Sequence, residues 1–526
     1  MAHIHTISYE PESYNLLRKI EFTFNWPTVY LLEDGKEIYV GQSGNVASRF
    51  KQHNKNPSRS RLKKAHIITD REYNLSATLD IESKLIQFIA ADEKYVLQNS
   101  NAGLLDHNYY DREKYLTKFE ELWIELKKQN IAVHDLIQLR NSDLFKYSPY
   151  KSLTEEQISI VSSIKESLDT GLDRSYIVNG EPGTGKSILG VYLAKYLLET
   201  LKSEEPLKIS LVIPMTSLRK TLKKVFGKVK GLNSSMVIGP SEVVGNTYDV
   251  LIVDEAHRLS RRINLSGYGP FDQANKYYNL GNNGSQLDWI LLSSKSQIFL
   301  YDSRQSITPR DVRAEKFSEL PAIHYNLTSQ LRVTAGDDYL KFIDQLLAAN
   351  VGVKPDFKAY DLEYFENLKP MIEKVKAMDK KHGLARLVAG YAWTWETKKK
   401  DSQDYDIELD GLKLKWNSEN IDWVNSQNAI NEVGCIHTVQ GYDLNYVGVI
   451  IGPEVGYNPD TKKIIIDKEK YKDINGKRTL ESLEELELYI KNIYKTLLSR
   501  GIKGTYIHAV DKGLSDFMYK MFNNSN

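Results

Sequence analysis

The sequence predicts an α/β protein in which a small mixed α/β domain precedes two lobes, each built on a parallel sheet covered by helices. Three observations carry this expectation. From Ser152 onward, short apolar runs alternate with helical stretches: YIVNG, LKISLVIP, YDVLIVDEAH, SQIFLYD, ARLVAGYAW and YVGVIIGPE. Runs of that kind suit strands buried on both faces. Before Ser152 the pattern differs: residues 1–100 mix strand-like runs with one helical run, and residues 111–139 space their apolar positions at helical intervals. Finally, 526 residues are too many for one hydrophobic core. The expected domains are residues 1–100, a helical connector at 101–150, a first lobe at 151–345, and a second lobe at 346–526 that carries a polar insertion at 397–411.

Composition narrows the class. An apolar share of 41% and a charged share of 26% are ordinary for folded soluble chains, so disorder should not dominate. No apolar run approaches the roughly 20 residues that cross a bilayer, and the first residues lack a basic-then-apolar leader pattern. A cytoplasmic protein without a membrane partner is expected. The single cysteine, Cys435, excludes an intrachain disulfide and a multi-cysteine zinc site, and is expected to be a small buried residue. The net charge of +1 gives no global attraction to nucleic acid. One local patch does: residues 38–69 contain no Asp or Glu but hold Arg49, Lys51, Lys55, Arg59, Arg61, Lys63 and Lys64.

The first domain opens on Thr28-Val-Tyr-Leu-Leu-Glu-Asp-Gly-Lys-Glu-Ile-Tyr-Val-Gly41, two strands about an Asp-Gly turn. Arg49 and His53, four apart, share one face of a helix expected to start near Asn45. Glu82 sits in the helical run IESKLIQFIA, and Asn99 follows it. This order resembles the GIY-YIG nucleases, with the two signature triplets written TVY and YVG. The resemblance implies that Glu82 holds one Mg²⁺ beside the scissile phosphate and that Arg49 adds positive charge. It further implies that Tyr30, aided by Tyr39 or His53, helps to activate water and that Asn99 fixes local geometry. The interval between Tyr30 and Tyr39 is about two residues shorter than usual in that family, and Thr28 replaces its first glycine. An even deletion keeps each side chain on its face, so both tyrosines can still converge. The basic patch, with Lys51, Arg59 and Arg61, would hold the phosphate backbone of a nucleic acid.

The first lobe begins at a phosphate-binding loop, Gly180-Glu-Pro-Gly-Thr-Gly-Lys-Ser187, between the strand YIVN and the helix ILGVYLAKYLLETL. Gly180, Gly183 and Gly185 let backbone N–H groups face phosphates, Lys186 reaches the outer phosphates, and Ser187 ligates Mg²⁺. About 70 residues on, the run VLIV delivers Asp254-Glu255-Ala-His257 to a strand end. Asp254 is expected to hold the metal and Glu255 to act as the base on the attacking water.

These motifs and those after them resemble superfamily 1 helicases, nearest the branch with the helicase-like region of Schlafen proteins. The resemblance covers about residues 151–526 and implies two RecA-like P-loop lobes. Leu153-Thr-Glu-Glu-Gln157 looks like the adenine-reading motif. IFLYDSRQSI looks like the third motif, with Asp302 and Gln305 in the sensing positions. LTSQLR looks like the fourth, ending in Arg332, and Ile436-His-Thr-Val-Gln-Gly-Tyr-Asp443 like the fifth, placing Gln440, Gly441 and Asp443 at the nucleotide. LLSRGIKG looks like the sixth, carrying Arg500. In the family, such arginines act as fingers on the γ-phosphate. Thr216, His437 and Thr438 fall where the family touches the nucleic-acid backbone.

Two departures stand out. The chain continues Ser-Ile-Thr-Pro-Arg310 where the family places a base-stacking aromatic residue, and it has little room for large accessory domains. The expectation is therefore an ATP-driven motor with a Mg²⁺-dependent endonuclease, acting on DNA ahead of RNA. A fusion of that kind resembles bacterial anti-phage systems. The alternative is an ATP-switched binding or sensing module whose nuclease-like domain only docks nucleic acid.

Overall fold

A computed structural model describes residues 2–99, 109–171, 173–201, 203–265, 267–306, 308–351, 354–398, 405–419, 421–439, 441–478, 480 and 482–523. The chain divides into two compact units. One comprises Met1–Lys165, Val191–Thr200 and Leu222–Ser234, the other Glu166–Gly190, Leu201–Thr221 and Ser235–Asn526.

The first unit is built on five strands: β1 (His3–Ser8), β2 (Phe24–Glu33), β3 (Glu37–Asn45), β4 (Lys64–Thr69) and β5 (Val96–Leu97), in spatial order β1-β4-β2-β3-β5. The β2–β3 hairpin turns at Asp34-Gly35, where Gly35 has φ +89° and Asp34 Oδ1 accepts from the N–H groups of Lys36 (2.9 Å) and Glu37 (2.7 Å). In its antiparallel register Tyr30 faces Gly41 and Leu32 faces Tyr39. Positions 30, 32, 39 and 41 thus share one face, and the shortened hairpin keeps both tyrosines together.

The helix Val46–His53 begins at Asn45, whose side chain accepts from Ser48 N–H. Glu82 lies on the helix Leu75–Asp92. The expected connector packs within this unit: Phe119 and Trp123 of the helix Arg112–Lys128 lie 5.4 and 5.5 Å from the ring of Phe88.

The second unit contains two mainly parallel sheets. The first has β6 (Ser175–Gly180), β7 (Ile209–Val212), β8 (Val237–Ile238), β9 (Tyr248–Val253), β10 (Ser294–Tyr301) and β11 (Ala322–Leu327), in order β11-β6-β10-β9-β7-β8 and all parallel. Val212, Leu251 and Phe299 on these strands are fully buried, each contributing about 1.5–3 kcal/mol relative to exposure.

The second sheet has β12 (Asp361–Tyr364), β13 (Ala385–Ala389), β14 (Ile407–Leu409), β15 (Leu412–Trp416), β16 (Glu432–Cys435), β17 (Leu444–Ile451) and, after a separate hairpin β18 (Val455–Asn458) and β19 (Lys463–Ile466), β20 (Gly501–Ala509). Its order is β12-β20-β17-β13-β16-β15-β14. The two sheets form two α/β lobes of RecA-like P-loop type.

Two expectations need correction. The polar stretch 397–411 is not wholly an insertion, because β14 and β15 form a hairpin that lengthens the second sheet through β15 beside β16. Its Asp410-Gly411 turn takes φ +52° and +71°, the two left-handed residues of a tight hairpin. The boundary between lobes also lies earlier than residue 346: Val333 and Tyr339, Phe342 and Ile343 of the helix Gly336–Leu347 are buried in the core of the second lobe.

Candidate functional site

The phosphate-loop sequence and the Asp254-Glu255 pair gather at the C-terminal edge of the first parallel sheet. Gly180 ends β6 and Lys186 opens the helix Lys186–Thr200. Gly183 and Gly185 take φ +91° and +81°, which L side chains rarely adopt. Gly183 is constrained twice, since a Cβ there would overlap the Gln330 amide. That amide ties the fourth-motif segment onto the loop: Gln330 Nε2 donates to the Pro182 carbonyl (2.7 Å), and its Oε1 accepts from Arg332 N–H (2.8 Å). Leu331 N–H donates to the Gly183 carbonyl at 2.8 Å.

Lys186 is buried, its ammonium bonded to the carbonyls of Gly180 (2.5 Å) and Glu181 (2.9 Å) and 3.8 Å from Asp302. Burial pushes its pKa down, against the pull of Asp302, Glu255 and Asp254. Asp302 accepts from Gln305 Nε2 at 2.8 Å, so the two sensing positions are joined.

Asp254 and Glu255 follow β9, both buried. Burial and the neighbouring Glu255 raise the Asp254 carboxyl. Burial also acts upward on Glu255, but His257, 3.1 Å away, and the charges of Lys186 and Arg500 hold it low. Glu255 is thereby kept ionised, as a base must be, and stands at φ +52°. The Oδ2 atom of Asp254 is buried without a hydrogen-bond partner, and Ser187 lies beside this carboxylate. A carboxylate and a hydroxyl are oxygen donors of the kind Mg²⁺ takes.

The arginines face the same place. Arg500 is 1% exposed, donates to the Tyr442 carbonyl at 3.2 Å, and lies near enough to Glu255 to influence it. Arg332 acts likewise on Lys186 and pairs with Asp443 at 2.5 Å. Gly441, at φ +88°, approaches Met215; Gln440 lies outside the described residues. Gln157 is buried, and its side chain accepts from Thr154 N–H at 3.1 Å as a helix cap.

Of the expected backbone contacts, Thr216 and His437 are exposed, His437 being 3.5 Å from Asp473. Thr438 is a correction: it is buried, and its hydroxyl donates to the Cys435 carbonyl (2.9 Å) and to Asn417 Oδ1 (3.3 Å), so it presents no hydroxyl to a phosphate. Cys435 is buried. Three residues to which the sequence reading gave no role belong to this site: His257, Gln330 and Tyr442. The last shares a hydrogen bond with Ser217 at 2.8 Å, joining the fifth motif to the Thr216–Lys228 helix. The signals were their places inside motifs already found, DEAH, LTSQLR and IHTVQGYD.

The second cluster belongs to the hairpin. Tyr30 Oη lies 2.7 Å from His53 Nε2, and the rings of Tyr30 and Tyr39 lie 5.9 and 5.0 Å from the imidazole. Tyr30 is fully buried, and a Cβ on Gly41 would overlap its ring. Burial pushes the phenol up, while Arg49 opposes this. His53 is lowered to about 4 by burial, then by Arg59 and Arg49. Asn99 grips Val40 twice, accepting from its N–H at 3.0 Å and donating to its carbonyl at 2.9 Å.

Glu82 is half-buried, and burial raises it to about 7 against the charge of Arg49. Among the described residues no group of three or more His, Cys, Asp or Glu could hold a metal, so Mg²⁺ here would rest on one carboxylate plus substrate oxygens and water. In the basic patch Lys51 is exposed, Arg61 pairs with Glu37, and Arg59 turns inward onto His53 and Tyr39.

Two parallel-sheet lobes with a phosphate loop, an Asp-Glu pair and two arginines facing it define a helicase-like P-loop ATPase. Residues 173–511 match Schlafen group 3, DNA/RNA helicase domain, and the chain belongs to that family. An uncharacterized protein of Saccharomyces cerevisiae is 27% identical over 390 residues, spanning 65% of this chain and 83% of the yeast protein. Among solved structures, Pif1 helicase from Bacteroides, in complex with ADP-AlF3 and ssDNA, has 13% identity, covers 71% of this chain and 95% of its own, and superposes with a TM-score of 0.29. The arterivirus nonstructural protein 10 helicase has 12% identity, covers 69% of this chain and 64% of its own, and gives a TM-score of 0.29. At such scores the fold assignment rests on strand order and not on superposition. No described helix is long and apolar enough to cross a membrane.

Proposed function

We propose that this helicase-like ATPase moves along or senses nucleic acid, DNA ahead of RNA, and that its first unit is a Mg²⁺-dependent GIY-YIG-type endonuclease. For the motor, the carrying observation is the convergence of Lys186, Asp254, Glu255, Asp302, Arg332 and Arg500 from five separate stretches of chain. ATP would lie on the N–H groups of the Gly180–Ser187 loop, with Mg²⁺ held by Ser187 and Asp254 to neutralise phosphate charge. Glu255 takes the proton of the attacking water. Arg332 and Arg500 stabilise charge on the transferring group, and Gln305 with Asp302 senses it. Gly441 and Asp443 border the nucleotide.

For the nuclease, the carrying observation is the meeting of Tyr30, Tyr39 and His53 beside Arg49, with Asn99 clamping the hairpin strand. Glu82 would hold Mg²⁺, which polarises the scissile phosphate when bound. Arg49 adds charge and Lys51 backbone attraction. A role in defence against foreign DNA rests on the pairing of motor and nuclease in one chain.

The test is cleavage of plasmid and single-stranded DNA with Mg²⁺, with and without ATP, by wild type, Glu82→Gln and Lys186→Ala. Cutting lost in the Glu82 variant and ATP turnover at background in the Lys186 variant are expected. Cutting by Glu82→Gln at the wild-type rate would make the first unit a docking module.

A further inference from the structure

The first unit holds a hydrogen-bonded chain whose direction can be read from chemistry alone. Arg59 Nη1 lies 2.8 Å from His53 Nδ1, and His53 Nε2 lies 2.7 Å from Tyr30 Oη. A guanidinium carries donors only and stays protonated in proteins. Nδ1 must therefore be the accepting nitrogen. A neutral imidazole has one N–H, so its proton stands on Nε2 and points at the tyrosine oxygen.

We propose that Arg59 is a positioning residue of the candidate nuclease site, fixing His53 as the Nε2–H tautomer that donates to Tyr30. The inference rests on the nuclease reading for its catalytic sense but not for its geometry. The guanidinium is itself held in place, lying 4.0 Å above the Tyr39 ring. Arg59 therefore connects the two signature tyrosines through one histidine.

The consequence reverses a natural assignment. His53 would be taken as the acceptor of the Tyr30 proton. With Nδ1 turned to a cation and Nε2 already carrying hydrogen, it cannot accept that proton, and the phenol proton must leave by another route. The charged groups facing His53 are Arg59 and, on its own helix, Arg49, and the phenols of Tyr30 and Tyr39 flank it. The Arg49 charge also acts on Tyr30, so a hydrogen-bond donor and a cation both face the phenol. That arrangement favours a phenol oxygen that accepts hydrogen bonds and stabilises its deprotonated form.

The experiment uses the full chain with ¹⁵N-labelled histidine and no metal, the His53 signals being assigned by their loss in His53→Gln. The wild type should show a neutral ring protonated at Nε2 near pH 7. Arg59→Leu should mix the tautomers and let His53 titrate at higher pH, and Arg59→Lys, still a donor, should restore the wild-type pattern in part. In DNA cleavage, Arg59→Leu should lower kcat about tenfold or more with KM nearly constant, as for a misaligned proton-transfer group. An Nδ1–H ring in the wild type, an unchanged tautomer in Arg59→Leu, or an effect confined to KM would overturn the proposal. The last would make Arg59 a phosphate contact. A wild type that shows the Nε2–H ring but cuts no DNA would leave the tautomer lock standing and remove the nuclease reading instead.

Discussion

Glu82 and Arg500 show how much one side chain's surroundings decide. A carboxyl raised to about 7 by burial is largely protonated below neutrality, and only its ionised form can hold Mg²⁺. Because the pKa is raised, any Mg²⁺ affinity resting on Glu82 should be lost as pH falls through about 7 and fully present above it. Each pH unit below that point should raise the Mg²⁺ requirement about tenfold. Mg²⁺ titrations of DNA cleavage at pH 6 and pH 8 test this, and an identical requirement at both would remove Glu82 from the metal. Arg500 makes its contacts from a buried position and influences Glu255. Replacing it by Lys keeps charge but loses the planar fork. ATP turnover should fall about tenfold or more while nucleotide affinity changes little, because a finger acts on charge that develops only in the transition state. Equal losses in binding and rate would make Arg500 structural. The sequence singled out both residues because each sits in a motif whose order is itself a signal, and the roles stay proposals that these measurements test. The inward turn of Thr438 was not legible, since nothing local distinguishes a hydroxyl that caps a turn from one that meets a phosphate.

The hairpins test legibility at the level of elements. The one at Asp34-Gly35 was readable because matched apolar runs flank its turn. The Asp410-Gly411 hairpin has the same dipeptide, yet its strands alternate charge with single apolar residues, IEL and LKLKW, and it follows a run of lysines. Local polarity hid a strand that long-range pairing with β16 supplies. Gly411 separates backbone from packing, for at φ +71° it has nothing within 4 Å of where a Cβ would stand. Gly411→Ala should therefore destabilise the second lobe by about 1 kcal/mol through conformation alone. The expected readout is a lower denaturation midpoint for that lobe with unchanged ATP turnover. No shift would mean that the turn relaxes without cost. The helix Gly336–Leu347 was misplaced for a related reason: its apolar face is plain in the sequence, but which core receives it depends on contacts far along the chain.

For the molecule as a whole, the question is whether the proposed motor controls the proposed nuclease. Residues 191–200 and 222–234 complete the two helices that follow the phosphate loop and carry Thr216, and they belong to the first unit. Within that unit Lys195 is buried, lies 5.9 Å from the Tyr150 ring and donates to the Lys230 carbonyl at 3.3 Å. Lys228 pairs at 2.7 Å with Glu93, which ends the Leu75–Asp92 helix bearing Glu82. The helix that begins at Thr216 thus ends against the residue that caps the helix carrying Glu82. A nucleotide-dependent shift of the Thr216–Lys228 helix would reach the proposed nuclease, and would control it only if ATP favours one arrangement of that helix over another. We expect ATP to restrain cutting, as a hypothesis, because an unrestrained nuclease would attack its host's own DNA. Glu255→Gln should bind ATP and hydrolyse it slowly, lengthening the restrained state. Plasmid cleavage by this variant should fall as ATP rises, by several-fold at saturation, while the wild type recovers as ATP is consumed. Glu82→Gln should cut at no ATP concentration yet keep its ATP turnover, since Ser187 and Asp254, not Glu82, would hold the motor's metal. Cleavage by Glu255→Gln that rises with ATP would reverse the sign and make bound ATP an activator. Cleavage indifferent to ATP in both wild type and Glu255→Gln would mean that the helical path transmits nothing.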